Sequence, residues 1–183
     1  MRNVEIKARL GDWRRVESEL ARLGARDAGV EEQHDVFYAC PRGRLKLRVS
    51  SRDGATLIHY ERADAAAARA SDYVLVPVPD PEALGRLLDA ALGRRGEVRK
   101  RRHLYWIDNV RVHLDLVEGL GRFLELEAVV DATHPEARCH ELAESLLERF
   151  GIAAQDRVAV AYVDLEPTPR TRAASPASPL DPR

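Results

Sequence analysis

Residues 98–130 read VRKRRHLYWIDNVRVHLDLVEGLGRFLELEAVV, and three runs in this stretch alternate with a period of two. In the middle run Arg111, His113 and Asp115 share one face, while Val110, Val112 and Leu114 share the other. In the last run Glu125 and Glu127 stand together, backed by Leu124, Leu126 and Ala128. In the first, Lys100 and Arg102 fall on the face begun by Val98. Side chains alternate across a strand, so each run carries one apolar face and one densely charged face.

For a single strand, a charged face simply meets water. Here the pattern repeats. Asn3, Glu5, Lys7 and Arg9 alternate with Val4, Ile6, Ala8 and Leu10, and Arg44, Lys46 and Arg48 alternate with Leu45, Leu47 and Val49. So many strands of this kind suit a closed antiparallel barrel with helices on its apolar outside and a polar channel within. An open, one-sided sheet fits the same alternation. The expected class is α+β, built on an eight-stranded antiparallel tunnel.

The chain has 183 residues, enough for one domain with a core that needs no staples. A formal charge of −1 argues against a generally basic nucleic-acid binder and points to a localised anion site. Cys40 and Cys139 are too few for a disulfide framework and lack metal-finger spacing, which suits a reducing cytoplasm. No apolar run reaches membrane-spanning length, and Met1-Arg2-Asn3 leads directly into a strand without a signal peptide.

In chain order, a strand at 3–10 precedes a helix capped by Asp12, with Trp13, Val16, Leu20 and Leu23 on one face and Gly24 at its end. Strands are expected at 33–38, 44–50, 56–62 and 71–78, with a turn at Pro41-Arg42-Gly43, a hairpin at Arg52-Asp53-Gly54 and a loop at 63–70. Asp80-Pro81 opens a second helix that Gly93 closes. Thr133 and Glu136 have capping-box spacing before a third helix ending at Phe150, with Cys139, Leu142, Leu146 and Phe150 facing inward. A short strand or extended piece is expected near 158–165. The domain is placed at 1–166, and the Pro-, Ala-, Ser- and Arg-rich residues 167–183 read as a disordered tail.

In a closed barrel, Lys7, Lys46, Arg48, Arg62, Lys100, Arg102 and Arg111 point into one lumen. The lumenal carboxylates Glu5, Asp115, Glu125 and Glu127 are too few to balance them, and a bound polyanion would, since guanidinium forks match phosphate oxygens. Glu125 and Glu127, two residues apart, can share a hard divalent cation such as Mg²⁺ with phosphate. Against this stand blander readings: a solvated edge for the glutamate pair, a hydrogen-bonded structural role for His113, and wall-packing for Tyr60 and Tyr162. The remaining histidines form no metal spacing, and no Walker, GxGxxG, GxSxG or HExxH pattern occurs.

Several segments together resemble a known family. They are Val4-Glu5-Ile6-Lys7, Pro41-Arg42-Gly43-Arg44-Leu45-Lys46-Leu47-Arg48, Tyr60-Glu61-Arg62, Ser71-Asp72-Tyr73, Val98-Arg99-Lys100-Arg101-Arg102, His113-Leu114-Asp115, Val117-Glu118-Gly119-Leu120-Gly121 and Phe123-Leu124-Glu125-Leu126-Glu127. In this order and spacing, from about Asn3 to Leu165, the chain resembles CYTH-domain proteins of the triphosphate tunnel metalloenzyme superfamily, specifically the class IV adenylate cyclase-like branch. The resemblance implies a tunnel that holds a triphosphate and one or two Mg²⁺ or Mn²⁺ ions. Glu5, Glu125 and Glu127 would be metal ligands, with Asp115 a ligand or close partner. Lys7, Lys46, Arg48, Arg62, Lys100, Arg102 and Arg111, with His113, would grip phosphate, and Lys7, Arg62 and Asp115 would be catalytic. Where the family opens with Glu-x-Glu-x-Lys, this chain has Asn3 as the first residue of the triad, and Leu116 stands where an acid is common.

The expected activity is thus an adenylate cyclase-like lyase converting ATP to 3′,5′-cyclic AMP and pyrophosphate. A triphosphatase acting on inorganic, thiamine or nucleoside triphosphate is the second reading, and a non-catalytic nucleotide- or polyphosphate-binding module the third. Triphosphatase relatives tend to place a lysine, paired with a tyrosine, where Arg62 stands, and a guanidinium with a pKa above ~12 cannot serve as a general base. The expected partner is ATP or another triphosphate, with no nucleic acid and no membrane, and a homodimer is left open.

Overall fold

The computed structural model describes residues 2–61 and 65–165. Eight strands, β1 (Arg2–Arg9), β2 (Arg26–Tyr38), β3 (Arg44–Ser50), β4 (Gly54–Glu61), β5 (Arg69–Pro77), β6 (Arg94–Ile107), β7 (Val110–Val117) and β8 (Gly121–Val129), close into a barrel. Around it the order is β1-β5-β4-β3-β2-β6-β7-β8, and every pairing is antiparallel. The closed alternative was therefore the right one, and alternation explains why. The apolar set Val4, Ile6, Val112, Leu114, Leu124 and Leu126 faces outward, and the charged set faces a common interior. Arg62 and the segment 167–183 lie outside the described residues.

Two helices cover one side. α1 (Trp13–Arg22) and α3 (Glu136–Phe150) press Val16, Leu20, Ala143, Leu147 and Phe150 onto β1, β7 and β8 in one buried cluster. Asp12 caps α1 by accepting a hydrogen bond from the Arg15 amide at 3.0 Å. α2 (Pro81–Leu92), capped by Asp80 with Pro81 in its first turn, lays Leu88 against Val36, Tyr38 and Leu47 on β2 and β3. The outer face of β5 has no such cover, with Val74 60 % and Val76 50 % exposed. Gly43 turns the chain into β3 at φ 67, where a Cβ would collide with the Tyr60 carbonyl oxygen. Among the described residues no helix is long and apolar enough to cross a membrane.

Four local expectations change. Thr133 does not cap α3: Pro135 holds the N-cap position without a side-chain bond, and Asp131 instead gathers the Thr133 and His134 amides, each at 2.8 Å. On α3 the inward face is wider than expected: half-buried Leu142 packs against the core cluster, and Ala143 and Leu147 join it fully buried. The segment after α3 forms no strand; it carries 3-10 turns at Ala154–Asp156 and Tyr162–Asp164 and pairs with the sheet backbone at an isolated Ala8–Arg157 bridge. β2 begins seven residues earlier than position 33, at Arg26, which brings further polar residues into the lumen.

Candidate active site

The interior is a cavity of about 350 Å³ whose lining includes Glu5, Lys7, Lys46, Arg48, Lys100, Arg102, Arg111, His113, Glu125 and Glu127. Period-two alternation puts them there: each inward residue is flanked by outward aliphatics such as Leu45, Leu47, Val112 and Leu126. Antiparallel register then stacks the charges. Glu127 lies between Glu5 and Arg111, and Glu125 between Lys7 and His113. Asp115 lies opposite Arg102.

The segment beyond α3 seals one end. The Val158 amide donates to the Lys7 carbonyl at 2.8 Å, Arg69 Nη2 donates to the Ala159 carbonyl at 2.9 Å, and Asp164 takes Arg44 at 3.1 Å and Arg95 at 2.7 Å. Tyr162 thereby enters the lumen, its ring 4.9 Å from that of Phe123 and 4.4 Å beneath the Lys7 ammonium. Its hydroxyl donates to Asp115 Oδ2 at 2.9 Å. Wall-packing accounts for only part of this residue, because the phenol also binds a buried carboxylate.

The expectation that lumenal carboxylates are too few is corrected. β2 contributes two more, Glu31 and Asp35, which the sequence reading did not place. Asp35 accepts from Arg48 Nε at 2.6 Å, Arg48 Nη2 at 2.7 Å and Lys46 Nζ at 3.0 Å. Arg102 forks onto Asp115, both bonds at 2.7 Å, and reaches Glu125 at 2.6 Å. Lys7 donates to Glu125 at 2.9 Å, Arg111 pairs with Glu127 at 2.9 Å, and Lys100 stands 3.4 Å from Asp115. Each of the described cations expected to grip phosphate thus already has a carboxylate, with which an incoming anion would have to exchange.

Burial and repulsion tune these groups. Burial and then the neighbouring Arg102 push Lys100 down to about 7, and burial with Arg48 pushes Lys46 down to about 8. Burial alone would raise Asp35, but Arg48 and Lys46 hold it well below the usual carboxylate range. Glu127 likewise overcomes burial through Arg111 and falls to about 2, and Glu125 is held low by Lys7 and Arg102. Burial, aided by Arg102, depresses His113 and keeps its imidazole neutral.

His113, Glu125 and Glu127 bring candidate ligand atoms within 4.8 Å of one another. His113 Nδ1 is buried, has no hydrogen-bond partner and lies 3.8 Å from Glu125 and 3.9 Å from Glu127, so the imidazole stands beside two ionised carboxylates. That donor set fits a divalent cation. Asp115, expected as a ligand or close partner, lies apart from this cluster with its oxygens engaged by Arg102, Lys100 and Tyr162. Glu5 stands beside Glu127 in register without joining the cluster.

The CYTH domain profile matches residues 1–162, nearly the whole described chain. The chain belongs to the CYTH domain family. A Methanocaldococcus jannaschii protein named "putative adenylate cyclase" is 25 % identical over 174 residues, covering 90 % of this chain and 98 % of the relative. A solved structure of a Pyrococcus horikoshii protein superposes with a TM-score of 0.80 at 25 % identity, covering 89 % of this chain and 98 % of that one. A Hippeastrum protein, described as a putative adenylyl cyclase with dominant triphosphatase activity, shares the fold at a TM-score of 0.56 and 17 % identity, covering 86 % and 90 %.

Two expected results follow from this CYTH site. Asn3 is buried, lines the cavity and has an Oδ1 without a partner. A carboxylate there adds Coulomb attraction of ~1–4 kcal/mol for a partly screened cation. Asn3→Glu should therefore lower the metal concentration giving half-maximal activity about ten-fold or more; superimposable titrations of variant and parent would sink the idea. The second concerns protons. At pH 8 the lysines at about 7 and about 8 are partly neutral, and an anion beside them raises their pKa. Binding of inorganic triphosphate should take up on the order of one proton at pH 8, measured calorimetrically in buffers of different ionisation heat. Proton release instead would contradict the lysine assignments.

Proposed function

We propose that this chain is a divalent-metal-dependent phosphoryl-transfer enzyme that closes ATP to 3′,5′-cyclic AMP and releases pyrophosphate. One observation carries the reading: the carboxylates that fit a cation are the same ones that now hold the cationic grip. Glu125 binds both Lys7 and Arg102, and Glu127 binds Arg111. A divalent cation held by His113, Glu125 and Glu127 would neutralise phosphate oxygens as a Lewis acid. With those carboxylates so occupied, Lys7 and Arg111 would be released to donate to the triphosphate, and Arg102, still forked onto Asp115, would lose only its bond to Glu125. Lys46 and Arg48 complete the grip from β3, and Lys100 from β6 beside Arg102.

In this reading the side chains fix the triphosphate so that the ribose 3′-hydroxyl lies in line with the α-phosphorus. The P–O bond to the pyrophosphate breaks as the 3′-oxygen bond forms, the hydroxyl proton passes to water, and the cations stabilise the charge of the leaving group. The name of the archaeal relative favours the same choice, as does a guanidinium at Arg62 in place of a basic amine. Purified protein with Mg²⁺ and ATP is expected to give cyclic AMP and pyrophosphate. ADP with orthophosphate would move the assignment to a triphosphatase, and saturable ATP binding without any product would leave a binding module.

A further inference from the structure

The lumen changes character from its sealed end to the other. Along β2 the inward residues run Phe37, Asp35, Gln33, Glu31, and along β3 they run Lys46, Arg48, Ser50. Phe37 belongs to the apolar floor with Tyr162 and Phe123, and Asp35 belongs to the grip. Beyond them β2 and β3 add no further cation, while on β6 Lys100 lies opposite Gln33 and Arg102 opposite Glu31. The far end opens to water, since Leu75 lines it while 43 % exposed and the turn residues Asp53 and Gly54 border it.

Just inside that mouth Glu31, Gln33 and Ser50 form a buried cluster. Gln33 Nε2 donates to Glu31 Oε1 at 2.8 Å, and the Ser50 hydroxyl donates to Glu31 Oε2. These bonds fix the carboxylate and turn the amide, yet Gln33 Oε1 is left buried with no partner. A buried acceptor without a donor costs about as much as a lost hydrogen bond, so an arrangement that leaves one open suits a ligand that donates. One carboxylate, whose oxygens already accept from neutral donors, and one amide oxygen are too few for a hard cation that takes six or more oxygens. They are also the wrong sign for phosphate.

We infer that Glu31, Gln33 and Ser50 form the specificity subsite for the non-phosphate end of the substrate, accepting hydrogen bonds from a nucleoside's exocyclic amine or ribose hydroxyl. The inference rests on the nucleoside triphosphate reading above. The sealed cationic end takes the phosphates, so the nucleoside lies toward the open mouth, where acceptors are left without donors. A triphosphate lacking a nucleoside gains nothing from this cluster. The subsite therefore separates ATP from inorganic triphosphate.

The test measures equilibrium binding of ATP and of inorganic triphosphate, with metal present, to the parent, Gln33→Leu and Glu31→Gln. Gln33→Leu is expected to weaken ATP about three- to ten-fold, the worth of one or two neutral hydrogen bonds, and to leave inorganic triphosphate within two-fold. Unchanged triphosphate binding also shows that the variants fold. Purine riboside triphosphate, without the amine, and 2′-deoxy-ATP distinguish the two sources: whichever binds the parent as weakly as ATP binds Gln33→Leu names the donor. Equal losses for both ligands, or no loss for either, would overturn the subsite while leaving the triphosphate reading intact. Failure of the parent to bind either ligand would instead remove the triphosphate reading itself.

Discussion

Glu125→Gln combined with Glu127→Gln is expected to reduce metal-dependent turnover by at least a hundred-fold. The pair supplies both carboxylates of the only described cluster that gathers ligand atoms, and His113 alone cannot hold a hard cation. The fold should survive at a cost, because these side chains are not idle on a polar face. They neutralise Lys7, Arg102 and Arg111, and stripping counter-ions from buried cations costs roughly 3–5 kcal/mol for a fully buried pair. Glutamine keeps one acceptor oxygen at each position, which should hold the loss near the lower end. Adding inorganic triphosphate should restore much of the melting temperature, since phosphate can take the place of the lost carboxylates. Parent-level turnover in the double variant would refute the cation assignment.

Asp115→Asn should unfold more readily than any single surface change. The carboxylate is 0 % exposed and accepts from Arg102 twice, from Lys100 and from the Tyr162 hydroxyl. An amide removes the charge that compensates two buried cations and presents a donor where three donors already point. The expected loss is about 3–5 kcal/mol, or roughly 6–20 °C in melting temperature for a domain of this size. Because Tyr162 is tethered through Asp115, residues 157–165 should also lose amide-exchange protection before the barrel does. A melting temperature within 2 °C of the parent would show that Asp115 is not the anchor its contacts imply.

Much of the site was legible because strand alternation is a strong constraint. Once Arg44, Lys46 and Arg48 face one way and Leu45, Leu47 and Val49 the other, closure of the barrel decides which set is inside. What escaped was of two kinds. Asp35 and Glu31 carried the same signal, Glu31-Gln33-Asp35-Phe37 against Glu32-His34-Val36-Tyr38, but exposed charges on the outer face blurred it. The sealing segment carried none. Residues 157–165 have no period, and their course follows from distant partners: the Lys7 carbonyl, Arg44, Arg69 and Arg95. The capping box at Thr133 failed locally, because Pro135 has no amide hydrogen and Asp131 captured the neighbouring donors first.

A barrel stoppered by Tyr162 is a cul-de-sac, and traffic in a cul-de-sac is last in, first out. In the cyclase reading the phosphates enter first and lodge deepest, so the cyclic nucleotide must depart before pyrophosphate can follow. Pyrophosphate would then meet the empty enzyme and compete directly with ATP, while cyclic AMP would not. The same nine residues that close the floor would thus dictate the order in which products leave.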